Sequence, residues 1–332
     1  MTERERFLAL IRGRNVGRPG FWLGNPHEDA LPKLLEYYQV ENRMALALLL
    51  KDSFCIRSPD WFLRGGESKP QFDAMSGPSY VFAECEDVAE VEAYSAWPEP
   101  DDLDLEALEA ALVNAAHTGM AVTGGSWSPF FHIIADLFGM ENYFVKMYTD
   151  PDVVMAVTER VVDYYYEINE RVYRKMANYI DAYFLGNDFG SQLDLLVSPD
   201  CFRKFVLPSF KKLIDQAKRY NLPVILHSCG AISRVIPDLI DAGVDALHPL
   251  QARANRMDAE HLAQYKNDIL FIGGVDTQQL LPFGKPDEVA NEVRRIHKLW
   301  GNRWIVSPSH ETLLPNVPME NVRAMHEAAM TL

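Results

Sequence analysis

The tetrapeptide His227-Ser228-Cys229-Gly230 carries the sharpest chemical signal in the chain. It follows the apolar run 223–226, which reads as a buried strand, and a strand turns its side chains to the same side every second residue. His227 and Cys229 therefore share one face, where imidazole nitrogen and thiolate sulfur make half of a zinc site. His310, at the end of the last apolar run, is positioned to add a third ligand across the same opening. Three protein ligands with one open position would describe a catalytic zinc. The plainer alternative is a histidine bonded to substrate or backbone beside an inert cysteine, since H-x-C without a second close pair is a weak metal signature.

Asp188 and Asp276 come next, each following a buried apolar run and a glycine, where a carboxylate is costly without a partner. Either could orient a substrate or move its proton. Either could equally cap the following helix or bind loop amides.

These positions share an address. Eight short apolar runs, at 21–23, 54–56, 121–123, 182–185, 223–226, 246–247, 269–272 and 304–306, lack polar alternation, as expected of parallel strands buried on both faces. Helical patterns separate many of them. Residues 103–116 are amphipathic, Asp150-Pro151 opens a long helix to about 178 with Asp150 as its cap, and Ser198-Pro199 repeats that start before 202–220, which Pro208 should divide. Residues 232–242 end at Gly243, and 286–300 and 318–329 supply the last helices. Strand–helix alternation of this kind builds an α/β fold, and eight strands without a G-x-G-x-x-G after the first favour a closed TIM (β/α)₈ barrel over an open doubly wound sheet. The region 64–100 fits least and reads as an excursion with a strand-like piece at 79–85. No linker or repeat divides residues 1–332, so a single domain is expected.

In such barrels the chemistry sits on the loops after the strands. Those loops hold Asp188, Gln192, His227, Cys229, Asp276 and His310, with Asn25, His27, Trp127, Asn187, His248, Gln251 and Glu311 as the substrate-binding candidates. His248 and Gln251 read equally well as pocket wall or scaffold, and Trp127 more readily as packing than as a substrate platform. His117, His132, His261, His297 and His326 fall in helical patterns and read as surface or capping residues.

Composition narrows the partners. Of 332 residues 48% are hydrophobic and 24% charged, an ordinary globular balance. Acidic residues number 47 against 32 basic ones, a formal charge of −15 that repels nucleic-acid phosphates and anionic lipid. A small-molecule substrate is expected, with no nucleic acid or membrane partner. Four scattered cysteines make no disulfide framework, and the mixed-charge N-terminus is unlike a signal peptide, so a cytoplasmic chain with reduced thiols is expected.

Several segments together resemble the uroporphyrinogen decarboxylase superfamily. They are Asn187-Asp188-Phe189-Gly190-Ser191-Gln192, Ser198-Pro199 with Phe202-Arg203-Lys204-Phe205 and Pro208, and His227-Ser228-Cys229-Gly230. Gly273-Gly274-Val275-Asp276 and Ser307-Pro308-Ser309-His310 with Pro315 and Pro318 complete the set, which extends from about residue 18 to the end. The resemblance implies a TIM barrel, in agreement with the strand count. It also implies one of two chemistries. True uroporphyrinogen decarboxylases use no cofactor and grip substrate carboxylates with an R-Q-A-G-R segment, where this chain has Leu23-Gly24-Asn25-Pro26-His27 and no arginine. The cobalamin-dependent methyltransferase branch binds zinc through H-x-C-G and a later cysteine. His227 and Cys229 match the first pair, and His310 stands near the place of that cysteine.

The second branch implies zinc, a corrinoid carried by a partner protein, and methyl transfer to or from a small thiol or hydroxyl. Asp188, Gln192 and Asp276 would then orient the substrate or shuttle its proton. A metal-free carboxy-lyase acting on a tetrapyrrole or smaller acid, and a non-catalytic corrinoid- or tetrapyrrole-binding module, are the rival readings. A homodimer is expected from the decarboxylase likeness alone.

Overall fold

A computed structural model describes residues 1–14, 16–63, 79–100 and 103–332. Its centre is an eight-stranded, wholly parallel sheet: β1 (Gly20–Phe21), β2 (Phe54–Ile56), β3 (Ala121–Gly124), β4 (Ala182–Gly186), β5 (Val224–His227), β6 (Ala246–His248), β7 (Leu270–Val275) and β8 (Trp304–Pro308). Each strand pairs with its sequence neighbour from β2 to β8, and β8 pairs with β1, which curls the sheet into a TIM-like barrel. All eight apolar runs read from the sequence are found as these strands. A short parallel pair, Asn25–Pro26 with Thr312–Leu313, lies after β1 and β8.

The period-two alternation sorts the strands into two cores. Trp22, Phe54, Ala121, Ala182, Phe184, Ile225, Ala246, Leu270, Ile272 and Ile305 fill the barrel interior. Tyr183, Leu185, Val224, Leu226, Leu247, Phe271 and Trp304 face the helices. The N-terminal helix Glu3–Ile11, closed by a Thr2–Glu5 capping box, adds Phe7, Leu10 and Ile11 to the interior group. Its Arg4 clamps Asp181, which in turn accepts the Val122 amide of β3 at 2.9 Å. Continuing the inward phase past Ile225 and Ala246 brings His227 and His248 onto the inner face at the strand C-termini.

The two end strands, β1 and β2, are joined by a side-chain seam. The Ser53 amide donates to the Phe21 carbonyl at 2.7 Å, Phe21 N–H donates to Ser53 Oγ at 3.1 Å, and Leu23 N–H donates to Asp52 Oδ1 at 3.0 Å. Asp52 is fully buried and its outer oxygen faces Arg43 at 3.2 Å. Burial pushes its carboxyl up to about 6, against the pull of Arg43 and the Leu23 amide.

The helices mostly begin and end where the sequence signals place them. Ser198 accepts the Cys201 amide, Gly243 ends Ile236–Ala242 with a left-handed backbone, and Pro208 sits in the first turn of Leu207–Arg219 after a π-helical Phe202–Val206. Two expectations fail. Asp150 precedes Pro151–Met176 without capping it, because its carboxylate is taken by Lys146 and Thr149. The strand-like piece 79–85 is a turn: its Ser79, Tyr80 and Phe82 amides bond to the Asp136 and Leu137 carbonyls of helix Phe130–Phe138, and Phe82 and Cys85 are buried. The rest of that excursion, 64–78, lies outside the described residues. Among the described residues no helix is long and apolar enough to cross a membrane.

The seam yields a pH prediction. The folded state holds the Asp52 proton more tightly than an unfolded chain with its ordinary value near 3.8. Its contribution is therefore complete below about pH 4 and lost as pH rises through about 6. The stability of the wild type relative to Asp52→Asn should fall by about 2 kcal/mol between about pH 4 and pH 6.5, read by denaturant unfolding. A difference flat across that window would mean Asp52 is ionised and paired with Arg43 throughout.

Candidate metal centre

The barrel register builds the site. Gly186 of β4 is level with His227 of β5, and His227 is level with His248 of β6. The Asn187 amide donates to the His227 carbonyl at 3.0 Å and the Ser228 amide to the His248 carbonyl at 2.9 Å, so the ladder continues into the first loop residues. Asp188 reaches across that junction. Its Oδ1 accepts the Cys229 amide at 2.7 Å and lies 3.3 Å from His227 Nε2. Cys229 Sγ lies 3.5 Å from the same nitrogen.

Asp188, His227 and Cys229 thus bring one oxygen, one nitrogen and one sulfur within 4.8 Å of one another. Tetrahedral zinc with bond lengths of about 2.0–2.3 Å separates nitrogen and oxygen ligands by ~3.3 Å and nitrogen and sulfur ligands by ~3.6 Å. The donor set matches those two edges. It differs from the set expected from sequence, because Asp188 takes the place foreseen for His310. His310 is exposed, lies outside the cluster, and its Nδ1 accepts the Thr312 amide at 3.0 Å.

Electrostatics couple the group. Burial alone would raise the Asp188 carboxyl, but the hydrogen bond and charge of His227 and the Cys229 amide hold it down at about 2. Burial works against the imidazolium of His227, 5% exposed, yet its contacts with Asp188 and Cys229 push it well above the usual histidine range. His248 goes the other way, lowered by burial first and then by the charges of His227 and His310. Glu311 Oε2 approaches His227 Nδ1 at 3.5 Å. Trp127 lays its ring 5.1 Å from that of His227 and 5.4 Å from that of Phe184.

Other expected residues form a rim or a scaffold. Gln192 Oε1 accepts from Gln251 Nε2 at 2.7 Å and from Gln278 at 3.4 Å, and Gln251 Oε1 accepts the Gly230 amide at 2.8 Å. Asp276 is not with Asp188. It accepts the Gln278 amide at 2.8 Å and faces Arg253 at 3.6 Å, the loop-holding alternative. Asn187, a substrate-binding candidate, is 1% exposed, and its amide bridges the Phe131 N–H and the Ser128 carbonyl. Asn25 is exposed and bonds through its backbone to Glu311, while His27 accepts the Asp29 amide beside it.

Two further residues border the site: His132, which the sequence placed among surface or capping histidines, and Arg57, which follows the second strand. His132, in the first turn of Phe130–Phe138, has a buried Nδ1 without a hydrogen-bond partner among the described residues, and burial lowers its pKa while the charge of Asp188 opposes the shift. Its position just inside the helix that follows the Trp127 loop was the available signal. Arg57, directly after β2, lines a cleft of ≈290 Å³ with Trp22, Asn25, Arg43, Asp52 and Cys55. Trp22 connects that cleft to the site, since its ring lies 5.1 Å from His248.

A parallel eight-stranded barrel with a histidine–cysteine–carboxylate group at its strand C-termini defines an α/β-barrel protein with a candidate metal centre. The chain belongs to the uroporphyrinogen decarboxylase (URO-D) family, whose model matches residues 71–332. It is similar to the methylated-thiol–coenzyme M methyltransferase of Methanosarcina mazei, 28% identical over 165 residues, 49% of this chain and 41% of that protein. It is also similar to the methylcobamide:CoM methyltransferase MtbA of Methanosarcina acetivorans, 22% identical over 235 residues, 70% of this chain and 65% of that protein. The aligned stretch spans less than two thirds of either relative. A solved structure of a methyltransferase from Methanosarcina mazei shares the fold, with a TM-score of 0.61 at 17% identity over 100% of this chain and 99% of that one.

Trp127 can lie against His227 because Gly186 has no side chain. A Cβ there would stand 1.9 Å from Trp127 Cζ2. Gly186→Ala should displace the indole, change its fluorescence and cost ~1–3 kcal/mol in denaturant unfolding. A variant as stable as the wild type, with unchanged emission, would show that the ring is not held against His227.

Proposed function

We propose that this protein is a zinc-dependent methyltransferase moving a methyl group between a corrinoid, carried by a partner protein, and a small thiol or hydroxyl substrate. The observation that carries this reading is the Asp188–His227–Cys229 donor set at the C-terminal end of the barrel. The names of the two relatives, both methyltransferases for coenzyme M and one for methylated thiols, support it. On this reading the chain is one catalytic barrel and the corrinoid arrives on a second protein.

Asp188, His227 and Cys229 would hold the metal. Zinc bound there would supply a positive centre that favours the deprotonated form of a thiol or hydroxyl. The chain's own groups divide the remaining work. Asp188, held near 2, stays ionised at neutral pH and suits a ligand better than the proton shuttle suggested by its sequence position. Trp127 covers the His227 ring and excludes water from it. Gln192, Gln251 and Gln278 present an amide network to the polar part of a substrate. Asp276, committed to its own loop and to Arg253, keeps that rim in place.

After zinc loading and dialysis, the wild type should retain about one zinc per chain, and Cys229→Ser and Asp188→Asn should bind it at least ~10-fold more weakly. Thiol-dependent loss of methylcobalamin absorbance should fall ~100-fold or more in Cys229→Ser. A wild type that takes up no zinc, with a rate unchanged by Cys229→Ser, would overturn the reading. Decarboxylation of a small acid by the metal-free chain would then favour the carboxy-lyase.

A further inference from the structure

His248 lies directly opposite His227 on the neighbouring parallel strand, so the two rings meet because the backbone register makes them meet. Their centroids are 4.9 Å apart, and the two Nδ1 atoms face each other at 2.9 Å. Two imidazole nitrogens at that distance share one proton: one donates and the other accepts. Which one donates follows from the other neighbour of His227 Nδ1.

His248 is 1% exposed, and its Nε2 is buried with no hydrogen-bond partner among the described residues. The ring packs at a steep angle against two aromatic side chains, Trp22 at 5.1 Å and 63° and Phe184 at 5.5 Å and 82°, and neither ring offers it a hydrogen-bond acceptor. The choice is made at His227, whose Nδ1 lies 3.5 Å from Glu311 Oε2: a lone pair there would face a carboxylate, whereas an N–H is attracted to it. Glu311 therefore favours the shared proton on His227 Nδ1, which leaves His248 Nδ1 as the acceptor and the His248 proton on Nε2. His227 Nε2, beside Cys229 Sγ and within reach of Asp188 Oδ1, is then the nitrogen whose lone pair a metal can take.

We propose that His248 is a positioning residue: clamped by Trp22 and Phe184, it accepts the Nδ1 proton of His227 and so selects the tautomer whose Nε2 can ligate zinc. Its consequence for zinc rests on the metal reading above, while the tautomer itself does not. The role differs from the substrate contact expected of His248 from its place after β6, since the side chain is sealed beneath the opening. It adds an outer partner of the kind that orients metal-binding histidines.

The test uses the full chain labelled with ¹⁵N-histidine and long-range proton–nitrogen correlation spectra, with and without added zinc. His248 should show the Nε2–H tautomer in both states, and His227 should show Nδ1–H once zinc is bound. In parallel, zinc competition against a chelator should give a 10–100-fold loss of affinity for His248→Phe, which keeps a ring but no acceptor. His248→Gln, which restores an acceptor oxygen, should regain most of it. An Nδ1–H tautomer on His248, or wild-type zinc affinity in a folded His248→Phe, overturns the proposal. If the wild type binds no zinc, the metal reading fails separately, and the His248 tautomer of the metal-free protein still decides the inference.

Discussion

The register of three adjacent parallel strands governs this molecule. Gly186, His227 and His248 stand level across β4, β5 and β6, and all three continue the inward phase of the barrel. That one alignment sets the space for Trp127, the separation of the two imidazoles, and the point at which the Asp188 loop crosses to meet Cys229. Slipping β5 by one residue would turn His227 outward into the helical layer and bring Leu226 to the opening. The apolar packing of Phe184, Ile225 and Ala246 beneath the site holds the register, so the chemistry at the rim depends on the core that supports it.

Charge is distributed to suit a cation at the opening. The chain is strongly acidic overall, yet few of its carboxylates are buried, and those have specific partners. Asp52 closes the seam between β1 and β2 with Arg43 beside it, and Asp181 ties the N-terminal helix to β3 and β4 through Arg4. Asp188 is different, because its partners are a histidine and a cysteine amide and its neighbour is a thiol. An ionised oxygen, an imidazole and a thiol converging in partial burial form a group that a metal would stabilise.

Several local signals were legible because the physics behind them is local. The two-residue period placed His227 and Cys229 on one face, Gly243 ended its helix where a left-handed residue is needed, and Ser198 capped the helix that starts at Pro199. Where the reading failed, a competing partner had taken over. Lys146 and Thr149 claim the Asp150 carboxylate, helix Phe130–Phe138 offers carbonyl acceptors to the 79–85 segment, and Asn187 is spent on holding the Phe131 and Ser128 backbone. Lys146 and Thr149 are near neighbours of Asp150 that out-compete the helix amides, while the partners of Asn187 and of the 79–85 segment lie far along the chain, beyond the reach of spacing.

Eight buried apolar runs with helices between them were enough to specify a parallel barrel, since strands covered on both faces have few other ways to bury themselves. The same pattern placed the candidate groups at the strand ends and paired His227 with Cys229. Folding decided which third group joins them. Asp188 and His310 both follow strands, and only the packing of the β4 loop against the β5 loop brings Asp188 to Cys229, while the Thr312 amide holds His310 on the exposed rim. The facing of His248 and His227 across 21 residues was likewise beyond the reach of spacing. Strand register is a property of the closed sheet, and a proton between two rings depends on the walls that the closed sheet builds around them.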